Sequence, residues 1–315
     1  MKGANHSPIK SKTRRSKTDL QISLAKCLIG LHEGQRLPSI RNLASTTHMS
    51  IGSVSAVLND LQDMGVVEIQ KHGHLGSVLV KLSLGQLWNL VERGPMVIGM
   101  TLPMHRRFEG LATGVKRSLE RVGIETYLIF IRGSRTRLKA LDEKRCHAAL
   151  MSGLAAEELC IKGHSVLLTL PPGSWVSGYC IFYRQPPPNQ IRPLRVAIDP
   201  DSYDHRRLTD LAFEGQAIEP RLAPFVQFSR LLKNDEVDAT VWASDQKEAF
   251  LGPGILQRPL SDATMQLLGE RSLSAAFVGR SDSATLQAVL SATINPVEII
   301  EIQNRIVNEE MIPEY

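Results

Sequence analysis

Asp199, Asp201, Asp204 and His205 fall close together in sequence, near enough for carboxylates to shift a histidine's pKa and pass it a proton. An Asp-rich helix N-terminus, where acids meet the positive end of the helix dipole, is the simpler reading of the same residues. His72 and His74 bracket a glycine, but no third or fourth metal ligand stands nearby. Cys27, Cys146, Cys160 and Cys180 are scattered singly, without the pairing of a zinc site or a small disulfide framework. Neither a phosphate-binding glycine loop nor a His-Glu-x-x-His helix occurs. No catalytic residue, metal site or cofactor is assigned on this pattern, and the expectation is a protein that recognises rather than reacts.

Charge says what is recognised. Residues 1–93 carry 12 Lys/Arg against 6 Asp/Glu, whereas the remainder carries 25 against 26, so the whole net charge of +5 lies in the N-terminal part. A basic head on a neutral body is the distribution expected when only the head meets a polyanion, because Lys and Arg release counterions condensed on phosphates. The single cysteines read as buried thiols in a reducing compartment. The first twenty residues lack the apolar core of a signal peptide and no later run is long enough to span a bilayer, so a cytoplasmic protein with no membrane partner is expected. A length of 315 residues predicts two or three domains.

The elements that position the basic head follow from periodicity. A basic arm is expected over residues 1–17, with Lys10, Lys12, Arg14, Arg15 and Lys17. From Thr18, the apolar residues Leu20, Leu24, Cys27, Leu28 and Leu31 recur at helical spacing, and Glu33-Gly34 with Pro38 closes the helix. Ser39 opens a short second helix through Ser45 with Arg41 on its outer side. After a turn at Thr46–Met49, Ser50 is the N-cap of a third helix whose stripe of Val54, Val57, Leu58 and Leu61 faces inward. Its outer face, with Ile51, Gly52, Ser53, Ser55 and Asn59, has little bulk, as approach to base edges in the major groove requires. Val66–Ile69 and Ser77–Val80 then read as a hairpin about Gly73 and Gly76, a wing with Lys71, His72 and His74 at its tip. The DNA-contacting set is therefore Arg41, Ser50, Ile51, Gly52, Ser53, Ser55, Asn59, Lys71, His72 and His74.

Leu37-Pro38-Ser39, Arg41, Asp60-Leu61, Gly65 and the Gly-containing wing give residues 18–82 the order and spacing of a winged helix-turn-helix that resembles the GntR-type regulators. The resemblance implies double-stranded DNA as partner. The chain departs from that family in placing Ile51 and Ser55 where basic residues are usual, and in having two residues rather than one between the wing glycines. Reading by hydroxyl, amide, methyl or shape contacts is then expected in place of Arg–guanine pairs.

Ser83 to Gly94 reads as a linker helix, with Leu84, Leu87, Trp88 and Val91 on one face. From residue 95 onward, strands and helices alternate, which implies α/β lobes on mostly parallel sheets: one lobe over about 95–184, a proline-rich connection at Pro186–Pro188, a second over about 194–294, and a final helix over 295–310. Two such lobes resemble the periplasmic-binding-protein-like (type 2) effector domains, and head and body together resemble the YhfZ family of regulators. That resemblance places a ligand at the carboxyl ends of the strands, beside helix N-termini that favour anions. The candidates are Thr101, Leu102, Ser134, Ser152, Gly153, Asp199, Ser202, Ala243, Ser244 and Asp245, small or hydroxylated for the most part and also ordinary turn and cap residues. The function expected is a ligand-responsive transcription regulator, dimeric so that paired helices match half-sites. The alternatives are a winged-helix interaction protein without operator specificity, and a two-lobed enzyme or binding protein with a fused winged helix.

Overall fold

The computed structural model describes residues 17–73, 76–161, 163–184, 192–250 and 252–315, apart from the side chains of residues 247 and 248. The arm residues Lys10, Lys12, Arg14 and Arg15, the wing residue His74 and the Pro186–Pro188 span lie outside the described residues. The chain forms two compact units, 1–93 and 94–315.

In the first unit, helices α1 (Lys17–Ile29), α2 (Ile40–Thr47) and α3 (Ile51–Asp63) are followed by strands β1 (Val67–Lys71) and β2 (Ser77–Leu82) and by α4 (Leu84–Glu92). Leu24, Leu28, Val54, Val57, Leu58 and Leu61 are buried together, so the inward stripes expected of α1 and α3 make the core. Ser39 Oγ accepts from Asn42 N–H at 3.1 Å and Ser50 Oγ from Ser53 N–H at 3.0 Å, so each hydroxyl satisfies an orphan helix N–H. Between them His48 takes a left-handed conformation, φ 53°, which turns α2 into α3. The wing is antiparallel, with Lys71 opposite Ser77 and a bulge between Glu68 and Ile69. The helix read as a linker, α4, buries Leu87 and Trp88 and packs on α1.

The second unit begins with β3 (Met96–Met100), α5 (Arg106–Glu120), β4 (Thr126–Phe130), α6 (Ser134–Asp142), β5 (Ala148–Ser152), α7 (Gly153–Leu159) and β6 (His164–Pro172). It continues with β7 (Tyr179–Arg184), β8 (Leu194–Ile198), α8 (Tyr203–Ala212), β9 (Ile218–Leu222), α9 (Phe228–Lys233), β10 (Ala239–Ala243), α10 (Lys247–Phe250), β11 (Ile255–Pro259) and α11 (Asp262–Leu268). Strand β12 (Ser274–Arg280) and helices α12 (Ala284–Thr293) and α13 (Pro296–Val307) complete it. The strands form two five-stranded sheets, in the orders β4-β3-β5-β12-β6 and β11-β7-β10-β8-β9. This is the two-lobed α/β architecture expected from the alternation, of the kind that the resemblance to periplasmic-binding-protein-like domains implies.

Two expectations need correction. The sheets are mixed: β3 with β4 and β5, and β8 with β9 and β10, are parallel, but β12 runs antiparallel to both β5 and β6, and β7 to both β10 and β11. The lobes are also not the successive stretches 95–184 and 194–294. Strand β7 belongs to the second lobe, and β12, with the two helices after it, returns to the first, so the chain crosses twice, near 173–178 and near 269–273. The crossings are bonded to one another: Leu273 C=O accepts from Gly173 N–H at 3.0 Å and Trp175 N–H at 2.9 Å, and Tyr179 Oη donates to Ser272 C=O at 2.9 Å.

Candidate functional site

The outer face of the helix-turn-helix consists of short polar side chains. Arg41, Ser50, Gly52, Asn59, Lys71 and His72 are exposed, and Ser53 and Ser55 half-buried. Ser53 is partly engaged at home, since its hydroxyl lies 2.8 Å from that of Ser50. Ile51 projects with 53% of its surface free, which leaves an apolar group at the very start of α3. Lys17 leans on α3 through an ion pair with Asp60 at 2.8 Å. Arg36, not singled out in the sequence, lies exposed against the wing; its guanidinium would be 2.9 Å from a Cβ at Gly76, whose φ is +92°. Arg36 thus joins Lys71 and His72 as a basic group around the wing.

The second unit encloses a cavity between its lobes with ≈ 60 Å³ open to the centres of water molecules. Of the candidate ligand residues, Thr101, Ser134, Ser202 and Ala243 line it. The others do different work. Ser152 Oγ donates to Asp204 Oδ1 at 2.6 Å, across the lobes. Asp199, whose side chain is fully buried, is gripped by Arg132 Nη1 at 2.7 and 2.8 Å and also accepts from the N–H groups of Asp201 and Phe225. Leu102 packs against the core of the second lobe, and Gly153 lies against the Arg271 backbone, 2.8 Å from its carbonyl at the Cβ position. Ser244 and Asp245 face a separate, wider opening beside Arg107, which donates to Asp245 at 2.9 Å. Of the ten candidates, four therefore reach the cavity, and three, Ser152, Asp199 and Asp245, fasten one lobe to the other.

The groups that give the cavity its chemistry were largely missed. Aromatic walls come from Phe108, Trp175, Phe225 and Trp242, with Phe225 and Trp242 stacked 4.8 Å apart. Arg137, 3% exposed, donates through Nη1 to Ile131 C=O at 2.7 Å while its Nε has no partner. Burial lowers its pKa to about 10, against the opposing effect of Asp204. His105, 7% exposed, has neither ring nitrogen bonded and stacks on Phe108 at 4.0 Å. Burial lowers its pKa to about 4, so the imidazole is neutral. Asp204 is pushed up to about 6 by burial, against the Ser152 hydroxyl and Arg137. Arg137 had a sequence signal, a lone cation sharing the inner helix face with Ser134, Leu138 and Leu141; His105, in a loop before α5, had none.

His205 is not a proton carrier in this arrangement. Its Nδ1 accepts from Asp199 N–H at 3.0 Å, which leaves Nε2 to carry the proton toward Thr240 Oγ1 at 3.3 Å, and burial lowers its pKa to about 4. Both nitrogens are structural. Among the described residues no group of three or more His, Cys, Asp or Glu could hold a metal ion, and no helix is long and apolar enough to cross a membrane.

Comparison with known proteins agrees with this division. Residues 32–79 match a helix-turn-helix domain family and residues 84–315 match the YhfZ C-terminal domain family. The uncharacterized protein YhfZ of Escherichia coli K12 is 31% identical over 295 residues, covering 93% of this chain and 95% of that one. The crystal structure of YhfZ from Shigella flexneri is 26% identical, covers 73% of this chain and 97% of that chain, and superposes with a TM-score of 0.59. A protein from Archaeoglobus fulgidus, 14% identical over 68% of this chain and 80% of its own, shares the fold with a TM-score of 0.50. By sequence over nearly its whole length and by the domain it carries behind the helix-turn-helix, the chain belongs to the YhfZ family.

Proposed function

We propose that this protein is a cytoplasmic, ligand-responsive transcription regulator. Its winged helix-turn-helix, of GntR type, binds operator DNA as one of a pair in a homodimer, and its two-lobed body senses a small-molecule effector. The observation that carries the reading is the union in one chain of a helix-turn-helix whose second helix is capped and polar outside with a body holding a cavity walled by unpartnered buried polar groups. The boundaries that go with it are an arm over 1–17, a winged helix over 18–82, a connecting helix over 83–94 and a sensor over 95–315. An effector acts on DNA binding only so far as it prefers one arrangement of the lobes to another. A regulator rather than an enzyme is favoured by the engagement of both His205 nitrogens, which removes the acid–base pair suggested by the sequence.

The first test is fluorescence anisotropy of the full chain with DNA from immediately upstream of its own gene against a scrambled fragment, at low and near-physiological salt. Sequence-selective, salt-dependent binding is expected. Changing Arg41 or Lys71 to Ala should weaken binding to both fragments and reduce the salt slope by about one each, whereas Ser53→Ala or Asn59→Ala should alter preference between them. Indifference at all four positions would remove the DNA reading of α3 and the wing. A specific observation supports one second reading: Ile51 is exposed at the α3 start and α3 bears no Lys or Arg, as suits a winged helix that docks on protein. Equal, weak binding to both fragments would favour it.

A further inference from the structure

Three features of the interlobe cavity converge on one ligand group. Helix α6 begins there at Gly133, against which Asp201 packs, without a side-chain cap, so its first-turn N–H groups present the positive end of the helix dipole with no side-chain acceptor. Arg137 stands one turn further along the same helix, and side chains lean toward a helix's N-terminus; its Nε is buried and has no partner. Through Nη1 it donates to Ile131 C=O, and the Asp204 carboxyl that faces it is raised to about 6 by burial, so the guanidinium's charge is only partly answered inside the cavity. The neighbouring helix α8 differs: Ser202 caps it, accepting from His205 N–H at 3.3 Å, so the α6 end is the better anion position of the two. His105 then supplies, from the α5 side, a neutral ring with one donor and one acceptor unused, set against Phe108.

Buried polar groups without partners are costly to leave unsatisfied, and a ligand that satisfies them gains by removing that cost. A space of ≈ 60 Å³ open to the centres of water molecules is more than a single water needs, so the cavity admits a small ligand of several atoms. We propose that this cavity takes a short organic acid, its carboxylate held by the α6 N-terminus and Arg137, and its second, uncharged polar group held by His105. The assignment rests on the sensor reading above and names the ligand class for it.

The test is titration calorimetry of the full chain with acetate, glycolate and pyruvate, against acetamide, glycolamide and glycine. The three acids should bind at least tenfold more tightly than the amides, and glycolate more tightly than both acetate and glycine. Amides that match the acids, or glycine that outdoes glycolate, would overturn the assignment. Arg137→Lys keeps the charge but loses Nε, and should weaken all three acids at least tenfold; His105→Phe should abolish the preference of glycolate over acetate and leave acetate binding in place. If Arg137→Lys fails to fold by its melting curve, the His105→Phe result decides: an unchanged glycolate preference overturns the proposal. The sensor reading fails separately. Acids that bind but leave DNA anisotropy untouched would retain this site and discard the regulator, whereas no binding by any of the three acids discards this site and leaves the regulator to its own DNA test.

Discussion

Burial lifts the Asp204 carboxyl from 3.8 to about 6, although the Ser152 hydroxyl and Arg137 both favour its charged form. The groups facing it are Arg137 on α6, Ser152 at the end of β5, Tyr179 on β7, itself pushed far up by burial and uncharged, and Tyr203 on its own helix. A carboxyl whose folded value exceeds its unfolded one stabilises the fold fully below about pH 4, and that contribution is lost as pH rises through 6. His105 and His205 act oppositely, since values lowered to about 4 give stability present above about 6.5 and lost as pH falls through 4. Asp204→Asn keeps an acceptor for Ser152 and removes the desolvated charge. At pH 8 it should raise stability by about 2 kcal/mol, less than the full shift implies because the side chain keeps some surface toward the cavity. At pH 4 the gain should vanish. Thermal melts at the two values check this, and a variant less stable than the parent at pH 8 would show that Arg137 depends on the charge more than burial opposes it. The Asp199–His205 cluster was visible in the sequence; its division into a lobe fastener, a cavity acid and a locked imidazole was not, because that depends on partners more than thirty residues away.

Elements with strong periodicity or a polar cap were legible, and those without were not. The Ser39 and Ser50 caps, the α3 stripe and the wing follow from local chemistry, and the structure forms them. Strands β9 and β11 passed unnoticed because they are edge strands with one buried residue or none, so no alternation marks them; each also contains a proline, Pro220 or Pro259, which an edge tolerates. Helices α5 and α13 show packing that composition hides. A Cβ at Gly110 would stand 2.7 Å from Gln303 Cα, and one at Gly114 would stand 2.8 Å from Ile299 Cδ1, so glycines let the two helices approach. Gln303 in turn donates to Arg107 C=O at 3.0 Å and to Ser174 C=O at 2.8 Å, tying α13 to a crossing strand. Alanine is the better helix former by about 1 kcal/mol, yet Gly110→Ala meets backbone, which cannot swing aside. Stability of the second unit should fall by about 1–3 kcal/mol, read in urea titration. A gain would mean that α13 shifts freely and the close approach is not required.

At the scale of the whole second unit, lobe membership could not be read from order along the chain. A double crossing places β7 away from β6 and brings β12 back, and the pairing that decides this is between residues far apart in sequence. The same topology explains why some residues at the strand ends became fasteners: two lobes joined by paired crossings face each other, and the strand ends meet. Arg132 with Asp199 and Asp201, Ser152 with Asp204, and Arg107 with Asp245 all reach across. Arg132 is the one to remove. Its loss leaves the fully buried Asp199 with two backbone N–H donors and no countercharge, and breaking a buried pair in this way costs about 3–5 kcal/mol. Because the crossings and α13 hold the hinge independently, that cost should appear as separation of the lobes and not as unfolding. Hydrogen exchange of Arg132→Ala should therefore accelerate at least tenfold over 131–137 and 199–205, while β12 and α13 keep the rates of the parent. Acceleration spread evenly over the unit would instead mean that the pair supports the fold as a whole, and unchanged rates everywhere would mean that the other two contacts hold the lobes without it.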